Sequence, residues 1–114
     1  MITLHPAQGG QAARLQVDGE LTVAQAADAR NDLLRLCPPL AGQPLDIDLA
    51  GLAPADTAAV QLLLALAHSL RQQGSTARLA TCSGALRTMA RALGAADATH
   101  CCGLPLVPPT GAAT

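Results

Sequence analysis

Residues 45–64 read LDIDLAGLAPADTAAVQLLL, and the reading of this stretch decides the fold class. Leu45, Ile47 and Leu49 alternate with Asp46, Asp48 and Ala50, the period-two pattern of a strand with one buried face. A Gly/Pro turn over residues 51–54 then leads into apolar residues at helical spacing from about Thr57 to Gln73, with Gly74 as the closing cap. Asp56-Thr57 stands at the junction. In strand-to-helix units, functional groups commonly sit just beyond the carboxyl end of the strand, where the next helix begins.

Upstream of that unit, Thr3–His5 and Ala13–Val17 read as two short strands joined by a glycine-containing turn, an opening hairpin. Residues 19–21 carry the chain out of the second strand, and Thr22 is a natural N-cap for VAQAADARNDLLRL. In that helix Val23, Ala26, Ala27, Arg30, Leu33, Leu34 and Cys37 trace one mostly apolar face, and Pro38-Pro39 ends it. Downstream, residues 78–81 return as a fourth strand, and Ser83 caps a further helix over 85–93 that Gly94 closes. Residues 101–107 read as a last short edge strand, demoted by Pro105.

Strands alternating with helices imply right-handed crossovers. The expected class is α/β: a single domain over residues 1–107, with a mixed, mostly parallel sheet of about four to five strands and helices packed on it. The tail PPTGAAT, residues 108–114, has no apolar period and is expected to be mobile.

Composition narrows the function classes. Hydrophobic residues make up 50% of the 114-residue chain and charged residues 13%, enough to bury a core. Phe, Tyr and Trp are all absent, so no platform for stacking bases or sugars exists. Lysine is absent too, and the net charge is −1, which leaves no basic footprint for nucleic acid. Met1 opens onto ITLHPAQGG without the pattern of a signal peptide, and no apolar run reaches the ~20 residues of a membrane span. The expectation is a cytoplasmic protein without membrane insertion. Cys37, Cys82, Cys101 and Cys102 then read as reduced thiols, small buried or edge-strand residues. No C-x-x-C or H-x-x-x-H spacing occurs, so no metal or cofactor is expected.

The junction admits two readings. In the first, Asp56 or Thr57 accepts a hydrogen bond from a first-turn N–H and suits the positive end of the helix dipole, together about 1 kcal/mol. In the second, Thr57 is a switch, because a phosphate there would meet free N–H groups while adding a charge of about −1.5 to −2. Around it Pro54, Ala55, Ala58 and Gln61 would form a surface of small groups open to a protein partner. Catalysis lacks its usual marks: His5, His68 and His100 are scattered, and no G-x-S-x-G elbow, P-loop or G-x-G-x-x-G occurs. No enzyme is expected; a small anionic ligand held at the same helix N-terminus is the remaining alternative.

The order of elements and the segment IDLAGLAPADTAAVQLLL resemble a STAS domain, the module of bacterial anti-sigma-factor antagonists. The stretches LQVDGELTVAQAADARNDLLRL, LRQQGSTARLATCS and ALRTMARALGAAD are similar as well, so the resemblance covers about residues 3–100. It implies a binding module that docks a kinase-like or receptor-like partner under control of phosphorylation in a helix-initiating Asp-Ser-Ser-Gly motif. Here those positions are Asp56, Thr57, Ala58 and Ala59, so the usual phosphoacceptor falls on Ala58, which has no hydroxyl. The Asp-Thr-Ala pattern is similar to two other branches: STAS proteins of chemotaxis or two-component signalling, and the cytoplasmic STAS subunit of a phospholipid-transporting ABC complex, where the threonine contacts the ATPase. The resemblance favours the signalling branch and so an anti-sigma factor, kinase or chemotaxis component as partner; an ABC ATPase is the alternative.

Overall fold

The computed structural model describes residues 2–107; the tail over 108–114, expected to be mobile, lies outside the described residues. The opening hairpin is present, with β1 (Ile2–His5) antiparallel to β2 (Ala13–Val17). The deciding strand is β4 (Pro44–Leu49), parallel to β2 on one side and to β6 (Thr76–Cys82) on the other. The principal sheet therefore runs β1-β2-β4-β6, mixed and mostly parallel, in the expected α/β class.

Parallel neighbours need crossovers, and the helices provide them. α1 (Val23–Leu36) lies between β2 and β4, and α2 (Thr57–Gln72) lies between β4 and β6. The two helices pack against each other over the face that carries Leu15, Leu45, Ile47, Leu49 and Leu79, all of them buried. α2 adds Val60, Leu63, Ala67 and Leu70 to this core, and α3 (Gly84–Ala92) adds Leu86 and Ala90. Aliphatic residues, with Cys37, Cys101 and Cys102, fill the space that aromatics usually occupy.

The opposite face of the sheet is polar. Arg14 pairs with Asp48, Arg78 pairs with Asp46 at 3.1 Å, and His5 hydrogen-bonds Gln16 at 3.3 Å. Burial pushes the Asp48 carboxyl up, but the Thr81 hydroxyl, the Ala50 N–H and Arg14 outweigh it and hold the group below the usual carboxylate range. The sheet is thus covered by helices on one side, which agrees with the alternating pattern of β4.

Three expectations need correction. The segments read as passage and turn are a second, two-stranded sheet, in which β3 (Gly19–Leu21) pairs in parallel with β5 (Leu52–Ala55). These strands are three and four residues long and contain Gly19 and Pro54, so turn chemistry masked them. The buried face of α1 runs through Ala26, Ala29, Leu33, Leu36 and Cys37; Val23, Ala27, Arg30 and Leu34 face solvent. Alanines weigh little in a periodicity reading, and Ala26, Ala27 and Ala29 let the apolar face be drawn on either side. The last segment is not one edge strand. β7 (His100–Cys101) and β8 (Leu104–Pro105) form a hairpin around Cys102 and Gly103, both at positive φ as a tight two-residue turn requires. Leu106 then runs along the edge of β6 beside Leu79.

Candidate functional site

The junction singled out in the sequence is where two helices start together. Asp56 is the N-cap of α2, and its Oδ1 accepts the Ala58 N–H at 2.9 Å. Its Oδ2 accepts the N–H of Val23, the first residue of α1, at 3.0 Å. One carboxylate thereby satisfies an unpaired donor in the first turn of each helix, and its charge suits the positive ends of both dipoles. The short β3–β5 sheet makes this meeting possible, because it brings Leu21, next to the Thr22 cap, alongside Ala55. The Asp56 N–H also donates to the Leu21 carbonyl at 3.4 Å. At the start of α1, the Gln25 side chain accepts from the Thr22 N–H at 3.0 Å and from its hydroxyl at 2.6 Å.

The capping reading of the junction therefore holds for Asp56, not for Thr57. Thr57 occupies the first helical position of α2 and is exposed. Pro54 and Gln61 are exposed as well, while Asp56 and Ala58 are half-buried and Ala59 is buried. Thr57, Gln61 and Pro54 are thus presented outward, while the Asp56 oxygens are turned to the Ala58 and Val23 N–H groups. Ala59, where the resemblance places a glycine, has its methyl in the core.

Sequence reasoning missed one member of this surface. Val23 is 77% exposed and adjoins the junction through its bond to Asp56. The helical spacing places it on the mostly apolar face of α1. A signal was present: Val23 is in helical register with Ala27, Arg30 and Leu34, a stripe that carries a charge and is offset from that of Ala26, Ala29 and Leu33. Val23 and Pro54 are exposed apolar residues at the junction, and Thr57 and Gln61 are exposed polar ones.

Two features constrain what the junction can hold. The Ala58 and Val23 N–H groups are already occupied by Asp56, and the Ala59 and Val60 N–H groups bond to the Asp56 carbonyl at 3.0 and 3.4 Å. A negative carboxylate thus stands where an anion cradle would need open donors. Among the described residues no group of His, Cys, Asp and Glu side chains could hold a metal ion, and no helix is long and apolar enough to cross a membrane. A separate apolar groove of about 260 Å³ lies between the later turns of α1 and α2, lined by Leu33, Leu34, Leu62 and Leu66.

Comparison with known proteins agrees with this architecture. A solved anti-sigma factor antagonist from Mycobacterium paratuberculosis superposes with a TM-score of 0.68 at 19% identity, over 99% of this chain and 91% of that chain. At that identity the likeness establishes the shared fold. No curated protein matches the chain. A family model described as Mlab, STAS domain matches residues 4–108, nearly the whole length. The chain belongs to the STAS domain family.

Proposed function

We propose that the protein is a non-enzymatic regulatory module that docks a protein partner through the α1–α2 junction, with Thr57 and Val23 at the centre of the contact. The observation that carries the proposal is the double cap. Asp56 ties two helix starts together, and the first residue of each helix, Val23 of α1 and Thr57 of α2, is exposed. Pre-ordered contact groups lose little freedom on binding, so the affinity they provide is not offset by ordering. STAS domains are generally non-enzymatic, and the scattered histidines offer no constellation for catalysis.

The partner class favoured by the resemblance is a kinase-like or receptor-like signalling protein, such as an anti-sigma factor or a chemotaxis component. Phosphorylation at Thr57 would act by repulsion: the new charge of about −1.5 to −2 would stand beside the Asp56 carboxylate and inside the contact. The second reading, an ABC ATPase as partner, is favoured by one specific feature. Ala58 cannot carry the usual phosphate, which suits a junction whose single hydroxyl is a fixed contact. The anionic-ligand alternative is disfavoured by the Asp56 carboxylate over the helix donors.

The test is affinity capture from native lysate with the wild-type chain and the Thr57→Glu variant, read by mass spectrometry. A partner lost with Thr57→Glu supports docking at the junction, and its identity as a signalling protein or an ABC ATPase selects the branch. Equal capture by both proteins, with the variant folded, contradicts the proposal.

A further inference from the structure

The cysteines are scattered in sequence, yet the fold gathers three of them. Cys82 ends β6, Cys101 ends β7, and Cys102 lies in the turn that follows. The Cys82 and Cys101 sulfurs are 4.0 Å apart, and those of Cys101 and Cys102 are 3.8 Å apart. We propose that Cys82 and Cys101 form a reversible dithiol–disulfide pair, a site of oxidation by hydroperoxides. Cys37, buried at the end of α1, takes no part in the cluster.

Geometry selects the pair. Disulfide-bonded cysteines usually have Cα atoms ~4.4–6.8 Å apart, whereas neighbours across a trans peptide are held at about 3.8 Å. Cys101 and Cys102 are such neighbours, so a bridge between them would distort the turn. Cys82 and Cys101 belong to different strands and are free of that restraint, with their sulfurs already 4.0 Å apart.

Access and charge point the same way. Cys82 is half-buried and lines a cavity of about 440 Å³ together with Thr81, Arg87, Thr99 and Leu106, room for a molecule the size of hydrogen peroxide. Cys101 is pulled below the ordinary thiol range by S–H donation from Cys102 and then Cys82, and the fields of Arg87 and Arg91 add to this. Cys82 and Cys102 are pushed up, first as donors to Cys101 and then by burial. The cluster therefore gives up one proton readily, that of Cys101; of the two that remain, the one on Cys82 can pass to Cys101 across their contact.

The charge rests mainly on Cys101. Transfer of the Cys82 proton to it places the thiolate, in a minor fraction of molecules, on Cys82, the sulfur that lines the cavity beside Arg87, and this thiolate attacks one oxygen of hydrogen peroxide. The O–O bond breaks, Cys82 becomes a sulfenic acid, and the departing hydroxide takes a proton to leave as water. The Cys101 sulfur then attacks the Cys82 sulfur. An S–S bond forms, the S–O bond breaks, and hydroxide leaves with the Cys101 proton as a second water. The two thiols have lost two electrons and the peroxide has gained them; an excess of a reducing dithiol reverses the change.

Trypsin separates the two partners, because cleavage after Arg78, Arg87 and Arg91 places Cys82 in peptide 79–87 and Cys101 with Cys102 in peptide 92–114. The full chain is treated with hydrogen peroxide, alkylated, digested without reductant and mapped by fragmentation mass spectrometry. The expected product is peptide 79–87 joined to 92–114 through Cys101, absent after dithiothreitol, retained in Cys102→Ser and lost in Cys82→Ser. The wild-type map is decisive by itself if a variant does not fold. A Cys101–Cys102 bridge within peptide 92–114, a Cys82 carried to sulfinic acid without a cross-link, or four unmodified thiols would each overturn the proposal.

Discussion

Replacing Asp56 with alanine removes the one group that joins the starts of α1 and α2. Its Oδ1 caps Ala58 at 2.9 Å and its Oδ2 caps Val23 at 3.0 Å, so two first-turn donors lose their partners at once. Loss of an Asp N-cap costs about 0.5–2 kcal/mol, typically about 1. The second bond, also to a charged acceptor at a helix start, is of similar size, and both donors regain some compensation from water because the junction is half-exposed. The sum is about 2 kcal/mol, which for a domain near 100 residues lowers Tm by roughly 8–16 °C. Asp56→Asn retains one acceptor oxygen and turns an NH2 toward the other donor, so it should lose about half of that amount. Thr57→Ala, at the exposed neighbouring position, should stay within about 0.5 kcal/mol of wild type. Urea unfolding followed by circular dichroism measures all three under one protocol. An Asp56→Ala variant within about 0.5 kcal/mol of wild type, or no more affected than Thr57→Ala, would refute the double cap as the element that organises the junction.

Other consequences are equally direct. Leu63→Ala, at a fully buried position of α2, should cost about 2–5 kcal/mol in the same urea assay; a loss below about 1 kcal/mol would place that side chain outside the core. Gly103→Ala should destabilise by more than about 1 kcal/mol, because φ is +79° there and a Cβ would meet the Ala67 Cβ at 3.3 Å; an unchanged Tm would contradict the hairpin turn. Asp48 is held below its unfolded value, so its contribution is complete above the ordinary carboxylate pKa of about 3.9 and is lost as pH falls through that value toward the lower folded one. Asp48→Asn should therefore lose less stability than wild type between pH 6 and pH 3, at roughly these values; parallel losses would argue against the Thr81, Ala50 and Arg14 bonds.

The parts of the fold that were legible in the sequence are those whose signal is local. Asp48 and Asp46 alternating with Leu45, Ile47 and Leu49 marked β4, and Ser83 before Leu86 marked the start of α3, where the Ser83 hydroxyl does accept the Leu86 N–H at 3.2 Å. What was not legible depends on distant partners. Gly19–Leu21 and Leu52–Ala55 become strands only by pairing with each other, and neither is long enough to declare itself alone. The junction was found through Asp56 and Thr57, but its second half, Val23, entered only once the β3–β5 pairing had brought α1 alongside. The same holds for Cys82 and Cys101, whose contact across 19 residues no spacing rule would detect.

The central claim is that a protein partner docks on the exposed junction that Asp56 holds in place. Its most direct test is the amount of that partner captured by wild type, Thr57→Glu and Val23→Asp, each shown by circular dichroism and urea unfolding to be folded. Central contact residues typically cost at least ~1.4–2 kcal/mol when disrupted, so either variant should reduce capture at least about tenfold at equal fold stability. Wild-type levels of capture by both folded variants would contradict the account and move the docking surface elsewhere on the molecule.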